Sequence, residues 1–93
     1  MTFELGRLVA TPAAIAFCEK HKVDLLSLVR RHQSRDWGDL ERDDKEANDR
    51  ALTTGARIFS SYRVADDRIW IITDAADDDQ VRASTCVLLP SDY

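Results

Sequence analysis

The sequence predicts an α+β domain: a short N-terminal strand, two to three helices, then a three-stranded antiparallel β-meander with the helices packed on one face. Two observations lead to this reading. Apolar side chains recur at helical spacing between Pro12 and Leu52, whereas after Gly55 they alternate or form short β-branched and aromatic runs. No repeat, linker or low-complexity stretch divides the 93 residues, so residues 1–93 are expected to form a single domain around one core.

Phe3, Leu5, Leu8 and Val9 make a short apolar segment interrupted by Gly6, read as an opening strand with a bulge. Thr11 and Pro12 supply an N-cap and a first-turn proline, and Ala13 to Phe17 carry a first helix to about His21. Asp24 caps a second helix, in which Leu25, Leu28, Val29 and His32 fall at i, i+3, i+4 and i+7 on one face. Gly38 ends that segment. Asp39 is placed to cap a charged third helix from about Leu40 to Leu52, with Asp44, Ala47, Asn48, Ala51 and Leu52 along one side.

After the break at Thr53-Thr54-Gly55, Arg57 to Val64 alternates as a strand, with Ile58, Ser60, Tyr62 and Val64 on one face and Phe59 and Ser61 on the other. Ala65-Asp66-Asp67 makes a tight turn. Arg68 to Thr73 is the strongest strand signal, and because Ile69 to Ile72 contains no polar residue, both of its faces are expected to be covered. An acidic loop from Asp74 to Gln80 precedes the last strand, Val81 to Leu89, which Pro90 ends.

Hydrophobic residues at 44% and charged residues at 32% exclude a disordered chain. No apolar run approaches the roughly 20 residues that span a bilayer, and MTFELGRLVATP lacks a signal-peptide pattern, so the cytoplasm is expected, with no membrane contact. A net charge of −4 argues against a generic grip on nucleic acid. Arg30, Arg31 and Arg35 form the local basic group and read as a solvated helix end. In a reducing compartment Cys18 and Cys86 are expected to be free, buried thiols.

No metal or cofactor is expected. His21 and His32 lack cysteines at a zinc spacing, and Asp77, Asp78 and Asp79 lack the glycine and closing glutamate of a calcium loop. Gly6, Gly38 and Gly55 are isolated, so no phosphate-binding loop forms, and no serine sits in a nucleophile elbow.

The densest cluster of polar groups is HQSRDWGDLERDDKEAN, from His32 to Asn48. It reads as architecture: His32 hydrogen-bonds Asp36 or Asn48, Trp37 fills the gap at the Gly38 turn, and Asp39 caps the next helix. Truncating Trp37 would then cost on the order of 3 kcal/mol. The competing reading is a metal-independent ribonuclease with His32, Arg35, Tyr62 and Arg63 as base, phosphate clamps or acid.

The pieces FELGRLVATP, RDWGDL, KEANDRAL, TGARIFSSYR, IWIITDA and VLLPSDY, in that order, resemble a family of small bacterial proteins often labelled plasmid-related. The likeness spans nearly the whole chain and departs in DAADDDQVRAS, which is longer and more acidic than the family's short loop. It implies a bacterial source and carriage on plasmids or other mobile elements, and it brings no activity or catalytic residues. Helices followed by an antiparallel sheet also look like RelE-type toxin ribonucleases, a fold-level analogy to proteins that are usually strongly basic, whereas this chain is acidic.

The leading expectation is therefore a non-enzymatic accessory protein that binds another macromolecule, a protein above all, through the acids Asp43, Glu46 and Asp49 on the third helix and Asp77, Asp78 and Asp79 in the loop. The RelE-like ribonuclease is the alternative. An exposed edge strand would also allow a homodimer.

Overall fold

The computed structural model describes residues 3–93. Its elements follow the order β1 (Arg7–Ala10), α1 (Pro12–Lys20), α2 (Leu25–Gln33), α3 (Arg42–Thr54), β2 (Ile58–Val64), β3 (Asp67–Thr73), β4 (Ser84–Leu88) and a 3₁₀ turn at Pro90–Asp92. The class is α+β, and β2, β3 and β4 pair antiparallel in sequence order. The sheet nevertheless has four strands, not three: β1 joins parallel to β4, giving the order β1-β4-β3-β2.

The pairing of β1 is held at both ends, where Arg7 N–H donates to the Ala83 carbonyl at 3.0 Å and Thr11 N–H to that of Val87 at 2.9 Å. Gly6 immediately precedes the strand rather than bulging it. Its φ of +66° and the closeness of the Arg82 and Ala83 carbonyls leave no room for a Cβ there.

Local chemistry sets the helix starts. The Thr11 hydroxyl accepts Ala14 N–H at 3.1 Å and Asp24 accepts Leu26 N–H at 3.1 Å. The third helix departs from expectation, because Glu41 is its N-cap, without a side-chain cap bond, and Asp39 is used elsewhere. Asp43 and Asp44 in the first turn instead complement the positive end of the helix dipole. Gly55, with φ +84°, ends the helix in the left-handed conformation.

The helices lie over the sheet face formed by Ile58, Ser60 and Tyr62, by Ile69, Ile71 and Thr73, and by Thr85 and Val87, all buried. One apolar cluster joins Ala14 and Cys18 of α1 and Leu28 and Val29 of α2 to Tyr62, Ile69, Ile71 and Val87. A second joins Trp37, Ala51 and Ile58, with Phe3, Leu40 and Leu52 against it. Burying each large aliphatic side chain contributes about 2 kcal/mol. Strand β3 is interior in the sheet as expected, yet its second face is not covered: Trp70 and Ile72 remain half-buried.

Arg82 ties the acidic hairpin to the helical layer. Nη1 donates to the carbonyls of Ala56 and Asp74 at 2.8 and 2.9 Å, and Nη2 donates to that of Ala51 at 2.9 Å. The buried guanidinium thus meets backbone carbonyls, those of Ala51 and Ala56 at the negative end of α3 and that of Asp74 after β3, rather than a carboxylate, and burial lowers its pKa. Arg82→Ala orphans these carbonyls and should cost about 2 kcal/mol in chemical denaturation; a loss within error would mean that water replaces the guanidinium.

Candidate functional site

The polar groups singled out in the sequence divide between the seam joining the two apolar clusters and the outer edge of β2. At the seam, His32 is completely buried on α2. Its Nδ1 lies 2.5 Å from Ser60 Oγ and its Nε2 2.8 Å from Thr73 Oγ1. Thr73 Oγ1 is 2.8 Å from Thr85 Oγ1, whose hydroxyl donates to the Leu5 carbonyl at 2.7 Å.

A carbonyl only accepts, so it sets the direction of the relay as far as His32 Nε2, and burial, which keeps the ring neutral, sets it at Nδ1. Thr85 donates to Leu5, Thr73 donates to Thr85, the His32 Nε2–H donates to Thr73, and Nδ1 accepts from Ser60. The proton therefore sits on Nε2, and because burial pushes the pKa down to about 4 the ring is a neutral imidazole at neutral pH. Asp36 and Asn48, the partners expected for His32, are not used, because the buried face of α2 looks onto the sheet and meets β2 and β3 first.

The loop from Asp36 to Asp39 clasps the edge of β2. Asp36 accepts from Arg31 Nε at 2.7 Å through Oδ2, from Gly38 N–H at 3.2 Å through Oδ1, and from the Tyr62 hydroxyl at 2.6 Å through its carbonyl. Its hydrogen bond with Arg31 holds the carboxyl below its ordinary pKa. The Arg31 guanidinium lies 4.6 Å from the centre of the Tyr62 ring. Trp37 is buried edge-on to His32, ring centres 5.8 Å apart, and donates Nε1–H to Asp49 at 3.1 Å. Gly38 has φ +77°, and a Cβ there would run into the Ser61 carbonyl and the Tyr62 ring.

This clasp occupies the outward N–H groups of β2. Phe59 N–H donates to Asn48 Oδ1 at 3.1 Å, Ser61 N–H to the Trp37 carbonyl at 3.3 Å, and Arg63 N–H to Asp39 Oδ2 at 2.9 Å. Asn48 returns its amide N–H to the Phe59 carbonyl at 2.6 Å and Asp39 N–H donates to Ser61 at 2.7 Å, so side chains and loop stand in for a fifth strand. Dimerisation by adding a strand to β2 would have to break this set, which leaves β1 as the open edge.

The ribonuclease quartet does not converge. His32 is sealed with both nitrogens engaged, and the Tyr62 phenol, pushed up to about 12 by burial, is bonded to Asp36. Arg35 is exposed after the end of α2, and Arg63 is exposed on the opposite sheet face from Tyr62. Neither proton-transfer group reaches solvent in this arrangement.

The six acids do not form one patch. Glu46 pairs with Arg42 at 3.1 Å, Asp49 holds Trp37, and Asp77 accepts the N–H groups of Asp79 and Val81, each at 2.9 Å. Asp78 and Asp79 are exposed at the hairpin, which joins the C-terminal end of α3 through Ala76 N–H to Gly55 at 2.7 Å, while Asp43 lies at the other end. The helix between them is roughly 20 Å long.

A surface not singled out in the sequence lies on the sheet face away from the helices. Arg57, Phe59, Trp70, Ile72 and Tyr93 line a groove there of about 230 Å³. The alternation of β2 already separates Phe59 from the buried Ile58 and Ser60, but the grouping depends on cross-strand register, with Phe59 opposite Ile72 and Ser61 opposite Trp70. Cys86, expected in the core, pairs with Ile72 on this face and is half-buried. Its thiol and that of Cys18 are free. Among the described residues no His, Cys, Asp and Glu group is arranged to hold a metal ion, and no helix is long and apolar enough to cross a membrane. Comparison with models of protein families, with curated proteins and with solved structures finds no match to this chain.

Proposed function

We propose that this protein is a non-catalytic accessory protein that acts by binding another macromolecule, a role in keeping with the likeness to small plasmid-related bacterial proteins. One contrast carries the reading: the buried histidine is enclosed and fully hydrogen-bonded, whereas the sheet presents half-buried aromatic side chains with no helix over them. Groups that transfer protons need access to substrate, and contact surfaces need open apolar area. The outward sheet face is the contact surface in this reading.

A second reading places a protein partner on the acidic hairpin. It is favoured by Asp77, whose two backbone hydrogen bonds stiffen the turn that carries the exposed Asp78 and Asp79. Immobilised protein incubated with bacterial extract separates the two. Trp70→Ala combined with Tyr93→Ala should lose the retained partner, and Asp78→Lys combined with Asp79→Lys should keep it. The reverse pattern hands the contact to the hairpin. A column that retains nothing, alongside purified protein that cleaves RNA without metal, ends the binding reading.

A further inference from the structure

We propose that the outward sheet face is a platform for single-stranded nucleic acid, an inference that rests on that face being the contact surface. Its centre is aromatic. Phe59 and Trp70 pack edge to face with ring centres 5.1 Å apart, and Trp70 and Tyr93 do the same at 5.9 Å. Tyr93 is 71% exposed, and Trp70 and Ile72 form the half-buried floor. Such a slot offers ring faces and edges to a planar base.

Cations surround it. Arg57 lines the groove and donates Nη1–H to the Tyr93 hydroxyl at 3.2 Å. Alternation and register put Arg63 and Arg68 opposite each other on the same face and Arg7 beside Ser84 on β4. All four arginines are exposed, and among the described residues none is in an ion pair, although Arg68 also reaches Ser61 Oγ and the Asp39 carbonyl. Carboxylates also border it: Asp39, on the backbone of Arg63, Asp74, on the hydroxyl of Ser84, and Asp92, which accepts from the Thr11 hydroxyl and Leu89 N–H and, with Asp74, acts on the Cys86 thiol.

An acidic chain thus concentrates arginine beside aromatic rings on one surface. Three clustered rings alone would suit a quaternary ammonium, but the Arg57 guanidinium in the same groove repels a cation and favours an anion carrying a planar ring. Stacked bases with phosphates on guanidinium groups meet both requirements, and they need no base-specific hydrogen bonds. The net charge of −4 opposes binding over the whole surface, so contact with phosphates has to rely on a local group of cations such as these four arginines.

Fluorescence anisotropy with labelled oligothymidine and oligouridine single strands tests the proposal on the full chain. Four phosphate contacts predict that affinity falls roughly 50-fold when salt rises from about 50 to about 200 mM. Tyr93→Ala should weaken binding about tenfold, the loss of one stacked base, and its exposed position keeps the fold intact if Trp70→Ala does not fold. Arg57→Glu should weaken binding and flatten the salt dependence, while Arg50→Glu on α3 should change neither.

Absence of binding at the lowest salt overturns the proposal, as does binding that ignores Tyr93 and Arg57. Equal affinity for a duplex, or equal competition by polyglutamate, overturns it too, since either would reduce the face to an anion surface. If no oligonucleotide binds but capture from extract still depends on Trp70 and Tyr93, this inference fails and the contact surface stands; if both fail, so does the contact surface.

Discussion

Replacing His32 with alanine is expected to cost about 4 kcal/mol, a large part of the 5–15 kcal/mol that holds a domain folded. Two effects combine. The change opens a cavity at the seam between the apolar clusters, and it leaves the Ser60 hydroxyl without its acceptor and Thr73 Oγ1 without its donor. Urea denaturation at pH 7 measures this as a lower midpoint at unchanged slope. A loss below about 1 kcal/mol would mean that the relay contributes little.

The same residue predicts a pH dependence. The folded protein keeps the ring neutral to about pH 4, whereas the unfolded chain takes up the proton near 6.5. Between these values the unfolded state binds more protons, so stability is fully present above pH 6.5 and falls as pH is lowered toward 4. The loss over that window is about 3 kcal/mol. His32→Gln, which cannot titrate, should flatten the profile there, and the folded wild type should show the Nε2–H tautomer by nitrogen NMR. A wild-type profile that is flat between pH 7 and 4 would refute the assignment. The Asp36 carboxyl, held below its ordinary range by Arg31, contributes stability that is fully present above its ordinary pKa and is lost only as pH falls further, below the His32 window.

Trp37→Ala should be nearly as damaging, at about 3 kcal/mol. The ring is 4% exposed, packs with Ala51 and Ile58, and stands beside both His32 and Phe3. Trp37→Phe keeps most of the apolar contact and loses only the hydrogen bond to Asp49, so it should cost about 1 kcal/mol. Hydrogen exchange separates packing from clasping: the Ser61 and Arg63 amides, which face the loop, should exchange faster in the alanine variant than global destabilisation explains. Equal acceleration at every amide would leave Trp37 as a core residue with no hold on the strand edge.

Short-range chemistry was legible in the chain. Thr11-Pro12 and Asp24 start helices because the groups that satisfy the first free N–H lie two or three residues away. The i, i+3, i+4, i+7 stripe correctly turned Leu28, Val29 and His32 inward, and β-branched residues marked β3. Asp39 shows the limit of that reading. It has the chemistry of a cap and stands near a helix start, but the edge of β2, 24 residues away, offered Arg63 N–H instead. His32 likewise lay on the right face, while the identity of its partners depended on strands 28 and 41 residues downstream.

From residue order alone came the α+β class, the antiparallel pairing of β2 to β4, the starts of α1 and α2 and the inward face of α2, since each follows from periodicity and neighbours within one turn or hairpin. Tertiary structure decided that β1 pairs with β4, that Asn48 and the loop around Gly38 close the sheet edge, and that Arg57, Phe59, Trp70 and Tyr93 share one surface. Contacts between residues far apart in sequence carry no local pattern. They exist only once burial of the two apolar clusters has brought the strands into register.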